Sequence, residues 1–188
     1  TPHRTQRPMT TLYGDRIHLR PPRLEDAQAI HAGTLDPESR RLTGTHATFT
    51  LEQTQAYVER SLASDDRAPF IIAAATDGRA IGEVVLLNID TDNRSASLRV
   101  ALFSSADFNQ GYGAEAMRLA LRHAFEALRL HRVELDVFDF NPRAIRVYEK
   151  VGFVQEGLLR DTLHWEGTYH NTIIMGILED DYFRLRNQ

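Results

Sequence analysis

The segment from Phe108 to Leu130 constrains this chain most, because a glycine-rich turn runs directly into an amphipathic helix. Gly111 and Gly113 lie one residue apart at its start. Apolar side chains then recur at helical spacing, with charged side chains opposite them. The apolar face comprises Met117, Leu121, Ala124, Phe125 and Leu128, and the polar face Arg118, Arg122, His123, Glu126 and Arg129. The first turn of such a helix leaves N–H groups unpaired at the positive end of the dipole, which suits a phosphate.

This segment does not match the two most familiar phosphate-binding motifs. No Gly-Lys-Ser/Thr follows it, as a P-loop requires, and only Gly-x-Gly of the dinucleotide fingerprint is present. A sharp turn into a core helix explains the segment equally well. The choice between a phosphate site and a structural turn therefore depends on the rest of the chain.

The composition excludes several classes of function. A chain of 188 residues without cysteine can form one domain around its own core, and it has neither disulfides nor a thiolate nucleophile. The net charge of −4 argues against general nucleic-acid binding. No apolar run is long enough to cross a bilayer and no secretory signal pattern is present, so we expect no membrane partner and a cytoplasmic protein. Polar residues without periodicity predict a disordered tail at 1–10 before a domain at 11–188.

Before the glycine-rich segment, the sequence predicts helices first and then an antiparallel meander. Alternation predicts a strand at 16–20. Helices are expected at 24–32 and from Thr50 to Leu62, with an irregular stretch at 36–49 between them. The meander comprises strands at 70–75, 80–89 and 95–103.

After the long helix we expect a strand at 131–138, a helix at 142–150 and a hairpin of strands at 153–163 and 170–178. The strand–helix–strand order implies a right-handed crossover, which makes strands 95–103 and 131–138 parallel. The predicted fold class is α/β, a mixed and mostly antiparallel sheet of about seven strands with helices on both faces.

A second motif lies at residues 141–153. Asn141 precedes Pro142 and is well placed to cap the helix, and Tyr148 follows about two turns later on the same side. The small residue Ala144 between them leaves room for a ligand on that face. Each residue alone is also explained by a cap, a core tyrosine and a glycine stop at Gly152.

The two motifs together resemble those of GNAT-superfamily acyl-CoA N-acyltransferases. Gln110-Gly-Tyr-Gly-Ala114 resembles the family's pyrophosphate loop, Q/R-x-x-G-x-G/A. Asn141-x-x-Ala144-x-x-x-Tyr148-x-x-x-Gly152-Phe153 resembles its second hallmark. The similarity covers residues 12–182. The nearest branch contains the ribosomal-protein N-terminal (Rim-type) and bacterial spermidine acetyltransferases.

This resemblance implies roles for individual residues. Acetyl-CoA is the implied co-substrate, with its pantetheine arm bonded to the backbone of the strand before the loop and its pyrophosphate to the loop amides. Asn141 would bond the pantetheine region, and Tyr148 would protonate the departing thiolate. The implied cofactor-binding residues are Ala101, Leu102, Phe103, Gln110, Gly111, Tyr112, Gly113, Ala114, Glu115, Asn141, Ala144 and Tyr148.

The chain departs from the family pattern at two positions. Glu115 replaces the usual Gly or Ala at the end of the loop, and its carboxylate is expected to point away from a bound anion. The strand before the loop lacks the glutamate found in many relatives. Glu83 is therefore our first candidate for the general base, with Glu134 and Asp136 as alternatives. An acceptor α-amino group, with a pKa of about 7.7–8.0, could also react without a base.

The acceptor is less constrained than the cofactor. Two groups are expected near it, the aromatic and histidine residues of the last hairpin and an arginine pair, namely His164, Trp165, Tyr169, His170, Arg40 and Arg41. The two histidines lack a cysteine or a third ligand at a useful spacing, so no metal is expected.

The resemblance implies an acetyl-CoA-dependent N-acetyltransferase that acts by direct attack of a primary amine, with Tyr148 and Asn141 as catalytic residues. Glu83 is added as the first candidate for the base. A protein or peptide N-terminal α-amine is the expected acceptor. A polyamine or other small amine is one alternative, and a non-catalytic acyl-CoA-binding module is another. We expect a monomer or a homodimer.

Overall fold

The structure is a computed structural model that describes residues 10–188, so residues 1–9 of the expected tail lie outside the described residues. Its eight strands are β1 (Leu12–Tyr13), β2 (Ile17–Arg20), β3 (Ala68–Ala74), β4 (Ala80–Asp90), β5 (Ser95–Leu102), β6 (Arg132–Phe138), β7 (Val154–Trp165) and β8 (Thr168–Leu178). They form one sheet in the order β1-β2-β3-β4-β5-β6-β8-β7. Only β5 and β6 pair in parallel in this described sheet. The predicted fold class and the parallel crossover are confirmed, with eight strands where about seven were expected.

The helices lie mainly where the hydrophobic pattern placed them. They are α1 (Ala27–Leu35), α2 (Pro37–Thr43), α3 (Leu51–Ala63), α4 (Tyr112–Arg122), α5 (Pro142–Val151) and α6 (Glu179–Arg186). Thr50 caps α3 as expected, because its hydroxyl accepts a hydrogen bond from the amide of Gln53 at 3.1 Å. The short strand β1 and helix α6 were not predicted.

Helix α2 corrects the expectation of an irregular stretch at 36–49. The Asp36 carboxylate caps it by accepting a hydrogen bond from the amide of Ser39 at 2.8 Å, and Pro37 occupies the first turn. Gly44, with φ of 63°, ends the helix in the left-handed region. These are ordinary start and stop signals, but the helix between them is too short to show a hydrophobic period.

The long helix was expected to reach Leu130, but its regular bonding ends at Arg122. A π turn at His123–Ala127 follows, in which the amide of Leu128 donates to the carbonyl of His123 at 2.9 Å. The predicted apolar face is nevertheless correct, since Met117, Leu121, Ala124 and Phe125 are all buried.

The sheet separates two apolar clusters, so helices cover both faces as predicted. Alternate residues of β3 show this, because Phe70 and Ile72 belong to the larger cluster under α4 and α5. Ile71 points the other way and packs with Ile30 of α1 and Val58 of α3. Each strand residue can therefore be assigned to the α4 face or to the α1–α3 face.

Candidate active site

A cleft opens where the parallel strands β5 and β6 separate. Ser97 and Glu134 form their last register pair, although both strands continue. The cleft has a volume of about 800 Å³. Met117 and Ala144 line it on the α4 face, and Arg99 lines it on the α1–α3 face. The cleft therefore passes through the sheet, and two reactants could enter it from opposite faces.

The separation leaves one edge of β5 without a partner strand. The amide of Phe103 donates to the carbonyl of Ile81 in the adjacent β4 segment at 3.0 Å. Because backbone groups alternate in direction along an antiparallel pair, Val100 and Leu102 turn theirs toward the cleft, whereas Ala101 turns toward β4. Such groups need partners, which an extended polar ligand can supply.

Among the residues expected to contact pantetheine, Leu102 therefore has backbone N–H and C=O groups on the cleft side of β5. Ala101 lines the cleft but directs its backbone toward β4, and Phe103 has its amide engaged and is not among the cleft-lining residues. Sequence reasoning missed Val100, which the register of β4 and β5 identifies.

The glycine-rich turn forms the cleft wall at the start of α4. Gly111 is the N-cap, with φ of 81°, a conformation that favours glycine. The first four amides of the helix, from Gly111 to Ala114, have no partner within it by helical geometry. An ideal Cβ built on Gly113 meets no atom within 4 Å, so this side of the turn is open. Gln110, Gly111, Tyr112, Gly113 and Ala114 all line the cleft.

Glu115 differs from the rest of the expected loop. Its amide donates to the carbonyl of Gly111 at 3.1 Å and is therefore unavailable to a phosphate. Its carboxylate accepts hydrogen bonds from the amides of Arg16 at 2.9 Å and Ile17 at 3.3 Å. The side chain thus points to β2 and away from the cleft, as the sequence led us to expect.

The second motif lies on the wall formed by α5. Asn141 caps the helix, since its side-chain oxygen accepts a hydrogen bond from the amide of Ala144 at 3.2 Å. Asn141, Ala144 and Tyr148 all line the cleft, so the structure brings the two motifs together. The Tyr148 ring packs edge-on against Phe153, with ring centroids 6.3 Å apart.

The phenol of Tyr148 is set up to remain protonated. Burial raises the pKa of Tyr148 to about 12. Within residues 10–188, no hydrogen bond engages its hydroxyl. The hydroxyl is thus a neutral donor that is available to a ligand in the cleft.

Glu83 lies near the cleft but outside its lining. Its carboxylate accepts a hydrogen bond from the hydroxyl of Tyr57 at 3.3 Å and lies 3.5 Å from the Arg99 guanidinium. Only 13% of its side chain is exposed, compared with 45% for Arg99. Burial raises the pKa of Glu83, and the nearby Arg99 opposes that rise. Arg99 and Tyr57 thus cover the residue that we first expected to be the base.

The two alternative carboxylates line the cleft directly. Glu134 and Asp136 lie on the same face of β6, opposite the core residue Leu135. The guanidinium of Arg132 donates to Glu134 at 2.8 Å. Asp136 lies two residues beyond Glu134, the last residue of β6 that pairs with β5, and its side chain is exposed. Partial desolvation, with a smaller effect from Glu134, raises the pKa of its carboxyl. Asp136 is therefore the carboxylate in the cleft wall that can accept a proton more readily than an ordinary aspartate.

The last hairpin does not supply the expected acceptor wall. Trp165 stacks on His46 with centroids 5.0 Å apart, and His170 packs edge-on against Phe140 at 4.6 Å. His164 contacts the ring of Tyr169 at 4.7 Å. None of the four predicted hairpin residues is among those that line the cleft, so this expectation is corrected.

The arginine pair is also structural. Arg40 donates to the carbonyls of Thr34, His46 and Ala47, and this fixes the loop after α2. Arg41 pairs with Glu38 at 2.7 Å and covers the ring of Phe140. The next two residues of α2, Leu42 and Thr43, line the cleft instead. Neither residue was expected from the sequence, because α2 was not predicted.

Comparison with known proteins decides the family. Residues 16–154 match the acetyltransferase (GNAT) domain family, and the match contains both motifs. The chain belongs to the GNAT family. No group of three or more metal-ligating side chains occurs among residues 10–188. Over the same range, no helix is long and apolar enough to cross a membrane.

Relatives of this GNAT protein include members of both branches that it resembles. The spermidine N(1)-acetyltransferase of Escherichia coli (strain K12) is 29% identical over 170 residues, which cover 88% of each chain. The Bacillus subtilis (strain 168) protein named "Putative ribosomal N-acetyltransferase YdaF" is 31% identical over 107 residues, 56% of this chain and 57% of that one.

Solved structures confirm the GNAT fold. A spermidine N-acetyltransferase from Vibrio cholerae, in complex with CoA and spermine, aligns with a TM-score of 0.84. The alignment covers 90% of this chain and 99% of that one, with 24% sequence identity.

This GNAT protein is an acetyltransferase with acetyl-CoA as its co-substrate. Its own residues fit that molecule. The amides at the start of α4 suit a diphosphate, the free edge at Val100 and Leu102 suits the amides of a pantetheine arm, and the cleft leads on to Tyr148.

Proposed function

We propose that this protein transfers the acetyl group of acetyl-CoA to a primary amine by direct attack, and that the acceptor is the α-amine of a protein or peptide N-terminus. The observation that carries the proposal is the cleft through the sheet. It has the phosphate-binding turn and Tyr148 on one face and Asp136 and Arg99 on the other. Holding both reactants in one cleft gives proximity, which can supply much of the rate acceleration.

In this proposal Tyr148 acts on the leaving group. Its hydroxyl stays protonated at working pH because of its raised pKa, so it can donate a hydrogen bond to sulfur as negative charge develops there. Asn141, about two turns before Tyr148 at the start of α5, holds the pantetheine region while its own side-chain oxygen fixes the helix start. The chain has no cysteine, so the acetyl group does not pass through a cysteinyl intermediate.

We assign the general base to Asp136 in preference to Glu83. Asp136 lines the cleft, and partial desolvation together with Glu134 raises its pKa, which suits acceptance of a proton from an ammonium ion. Glu83 also has a raised pKa, but Tyr57 and Arg99 separate it from the cleft. Water would have to relay the proton if Glu83 served as the base.

Arg99 favours an N-terminal α-amine over a polyamine. Its side chain lines the cleft and is 45% exposed, so its charge, although paired with Glu83 at 3.5 Å, lies where it disfavours a ligand that carries several positive charges. An α-amine has a pKa of about 7.7–8.0, so much of it is already neutral at physiological pH. A peptide also offers carbonyl oxygens that Arg99 can bind.

A polyamine acceptor is the second candidate, and two observations favour it. Spermidine acetyltransferases are among the relatives, and Glu134 and Asp136 place carboxylates in the cleft. Arg132 already neutralises Glu134, which weakens this argument. A third candidate, acyl-CoA binding without turnover, is disfavoured because Asn141 and Tyr148 both line the cleft.

The deciding experiment is mass spectrometry of acceptors incubated with acetyl-CoA. The panel contains peptides with free N-termini, the same peptides blocked at the N-terminus but carrying lysine, and spermidine. Acetylation of the free N-termini alone supports the proposal, and faster acetylation of spermidine replaces it with the second candidate. CoA binding without transfer to any acceptor supports the third. We also propose a cytoplasmic monomer or homodimer, which localisation of a tagged protein and light scattering can check.

A further inference from the structure

Arg16 lies beside the phosphate-binding turn, although it comes from the bend just before β2, far away in sequence. Its Nη1 donates a hydrogen bond to the carbonyl of Gln110, the residue before Gly111. Its guanidinium also covers the ring of Tyr112, 4.7 Å from the centroid. One exposed arginine thus contacts residues on both sides of Gly111.

The backbone of Arg16 is fixed to the same helix start. Its amide donates to the Glu115 carboxylate at 2.9 Å, and the amide of Ile17 donates to the same oxygen at 3.3 Å. The Arg16 side chain binds the carbonyl of Gln110, just before α4, and the Glu115 side chain in the first turn of α4 binds the amide of Arg16. We call this reciprocal pair the Arg16–Glu115 brace.

The brace orients the turn through peptide geometry. The C=O of Gln110 and the N–H of Gly111 belong to one planar trans peptide, so they point in opposite directions. With the carbonyl held toward Arg16, the Gly111 N–H points away from Arg16. Glycine can adopt many backbone conformations, so a contact that holds the Gln110 carbonyl helps to keep Gly111 at its φ of 81°.

We propose that Arg16 is a positioning residue for the diphosphate of CoA: it holds the Gln110 carbonyl so that the Gly111 amide faces the phosphate. It also places a positive charge next to the binding turn, which attracts the same ligand. Glu115 completes the device by holding the Arg16 backbone. This role of Arg16 belongs to the CoA side of the cleft and does not depend on the acceptor.

The carboxylate of Glu115, at the end of the glycine-rich loop, has a role in this brace. Glu115 is not directed at the phosphate, and its carboxylate accepts hydrogen bonds from the amides of Arg16 and Ile17 at the entry to β2. The Glu115 carboxylate also lies directly against Gly14, since a Cβ added to Gly14 would come within 2.5 Å of it. The acidic side chain therefore supports anion binding indirectly.

The first test measures ligand affinity of Arg16→Gln and Arg16→Lys by calorimetry. Loss of one charge-assisted hydrogen bond predicts that Arg16→Gln raises the Kd of CoA by about 10-fold. Arg16→Lys, which keeps the charge but not the planar fork, should fall between this variant and the parent. The Kd of dephospho-CoA should rise by the same factor as the Kd of CoA, because dephospho-CoA keeps the diphosphate that the turn holds. Exposed Arg160 on β7 provides the charge-matched control, and Arg160→Gln should bind CoA like the parent.

The second test separates positioning from general damage. S-acetylpantetheine is a donor without a diphosphate, and with it Arg16→Gln should have the same turnover rate as the parent. With acetyl-CoA, the variant should have a higher KM for the donor and an unchanged kcat. Glu115→Ala should weaken CoA binding similarly, and the double variant should lose little more than either single one, since both act through one brace. Unchanged CoA affinity in Arg16→Gln would overturn the proposal. Equal losses with both donors would overturn it too, as would a loss seen with CoA but not with dephospho-CoA.

Discussion

Ser97 on β5 and Glu134 on β6 form the last register pair of the parallel strands, and the active-site cleft begins immediately beyond them. The separation releases backbone groups on one strand, at Val100 and Leu102, and exposes Asp136 on the other. The hydroxyl of Ser39 in α2 donates to the Leu102 carbonyl at 3.3 Å, so α2 already engages one acceptor of the edge that β6 leaves unpaired. One interruption in strand pairing therefore creates the cofactor edge, the proposed base and the opening between them.

CoA binding should stabilise the fold, because the free amides and strand edge gain partners that only the folded state offers. At 100 times its Kd, a ligand adds about 2.7 kcal/mol to the free energy of unfolding. For a domain of this size, this corresponds to a rise in Tm of about 5–10 °C. Differential scanning fluorimetry with increasing CoA measures the shift. No shift at millimolar CoA would contradict the cofactor site.

Gly113→Asp should damage CoA binding much more than folding. A Cβ at this position meets no atom within 4 Å, the φ of Gly113 is not positive, and a carboxylate suits the first turn of α4. The same carboxylate would repel the diphosphate, so we expect the Kd of CoA to rise by at least about 10-fold, the size expected for loss of one charge-assisted contact.

Gly157→Asp is the matched control, since Gly157 on β7 also has open space and no positive φ. Calorimetry should show parent-like CoA binding for it, and thermal melts should show similar Tm values for both variants. Normal CoA binding by Gly113→Asp would mean that the glycine turn is only structural.

The sequence predicted those features that depend on local pattern. The Gly111–Gly113 turn, the apolar face of α4 and the cap at Asn141 are all encoded within a few residues of one another, and each was located correctly. Helix α2 was missed although Asp36, Pro37 and Gly44 marked its ends, because seven residues carry no reliable period.

The remaining features depend on contacts between distant segments. Arg16 and Glu115 are 99 residues apart, and no spacing rule links them. Whether Glu83 or Asp136 faces the cleft depends on strand register and on where β5 and β6 separate. The sequence could therefore name the three carboxylates but not which of them line the cleft.

Asp136→Asn should lower the rate of transfer much more than Glu83→Gln does. Loss of a general base typically costs about 10²–10⁴-fold, so Asp136→Asn should lose at least the lower figure in single-turnover measurements. Both variants keep the shape of the side chain, and CoA affinity should stay near that of the parent in each. A larger loss in Glu83→Gln would return the base to Glu83.

Asp136→Asn should also stabilise the protein in a pH-dependent manner. Partial desolvation and the nearby Glu134 raise the folded-state pKa of Asp136, which is exposed to the cleft, above its unfolded value of about 3.9. Ionisation therefore disfavours the folded state slightly as pH rises through that window. The amide avoids this penalty. The variant should melt at a higher temperature than the parent at pH 7, and the difference should shrink toward pH 4. A difference that is independent of pH would show that packing, and not ionisation, is responsible.

Tyr148→Phe should abolish most transfer while leaving the fold and CoA affinity nearly unchanged. The substitution keeps the ring against Phe153 and removes only the hydroxyl, which has no partner within residues 10–188. General acid catalysis contributes about 10²–10⁴-fold, so kcat should fall by at least the lower figure. Because the pKa of Tyr148 is about 12, the parent rate should not decline from deprotonation of this phenol up to about pH 10, two units below that pKa.

Tyr169→Phe is the control for Tyr148→Phe, since Tyr169 is 60% exposed on β8 and does not line the cleft. Stopped-flow or single-turnover assays with acetyl-CoA and an identified amine give the comparison. If Tyr148→Phe transferred acetyl at the parent rate with chemistry rate-limiting, Tyr148 would be a packing residue and water would have to protonate the thiolate.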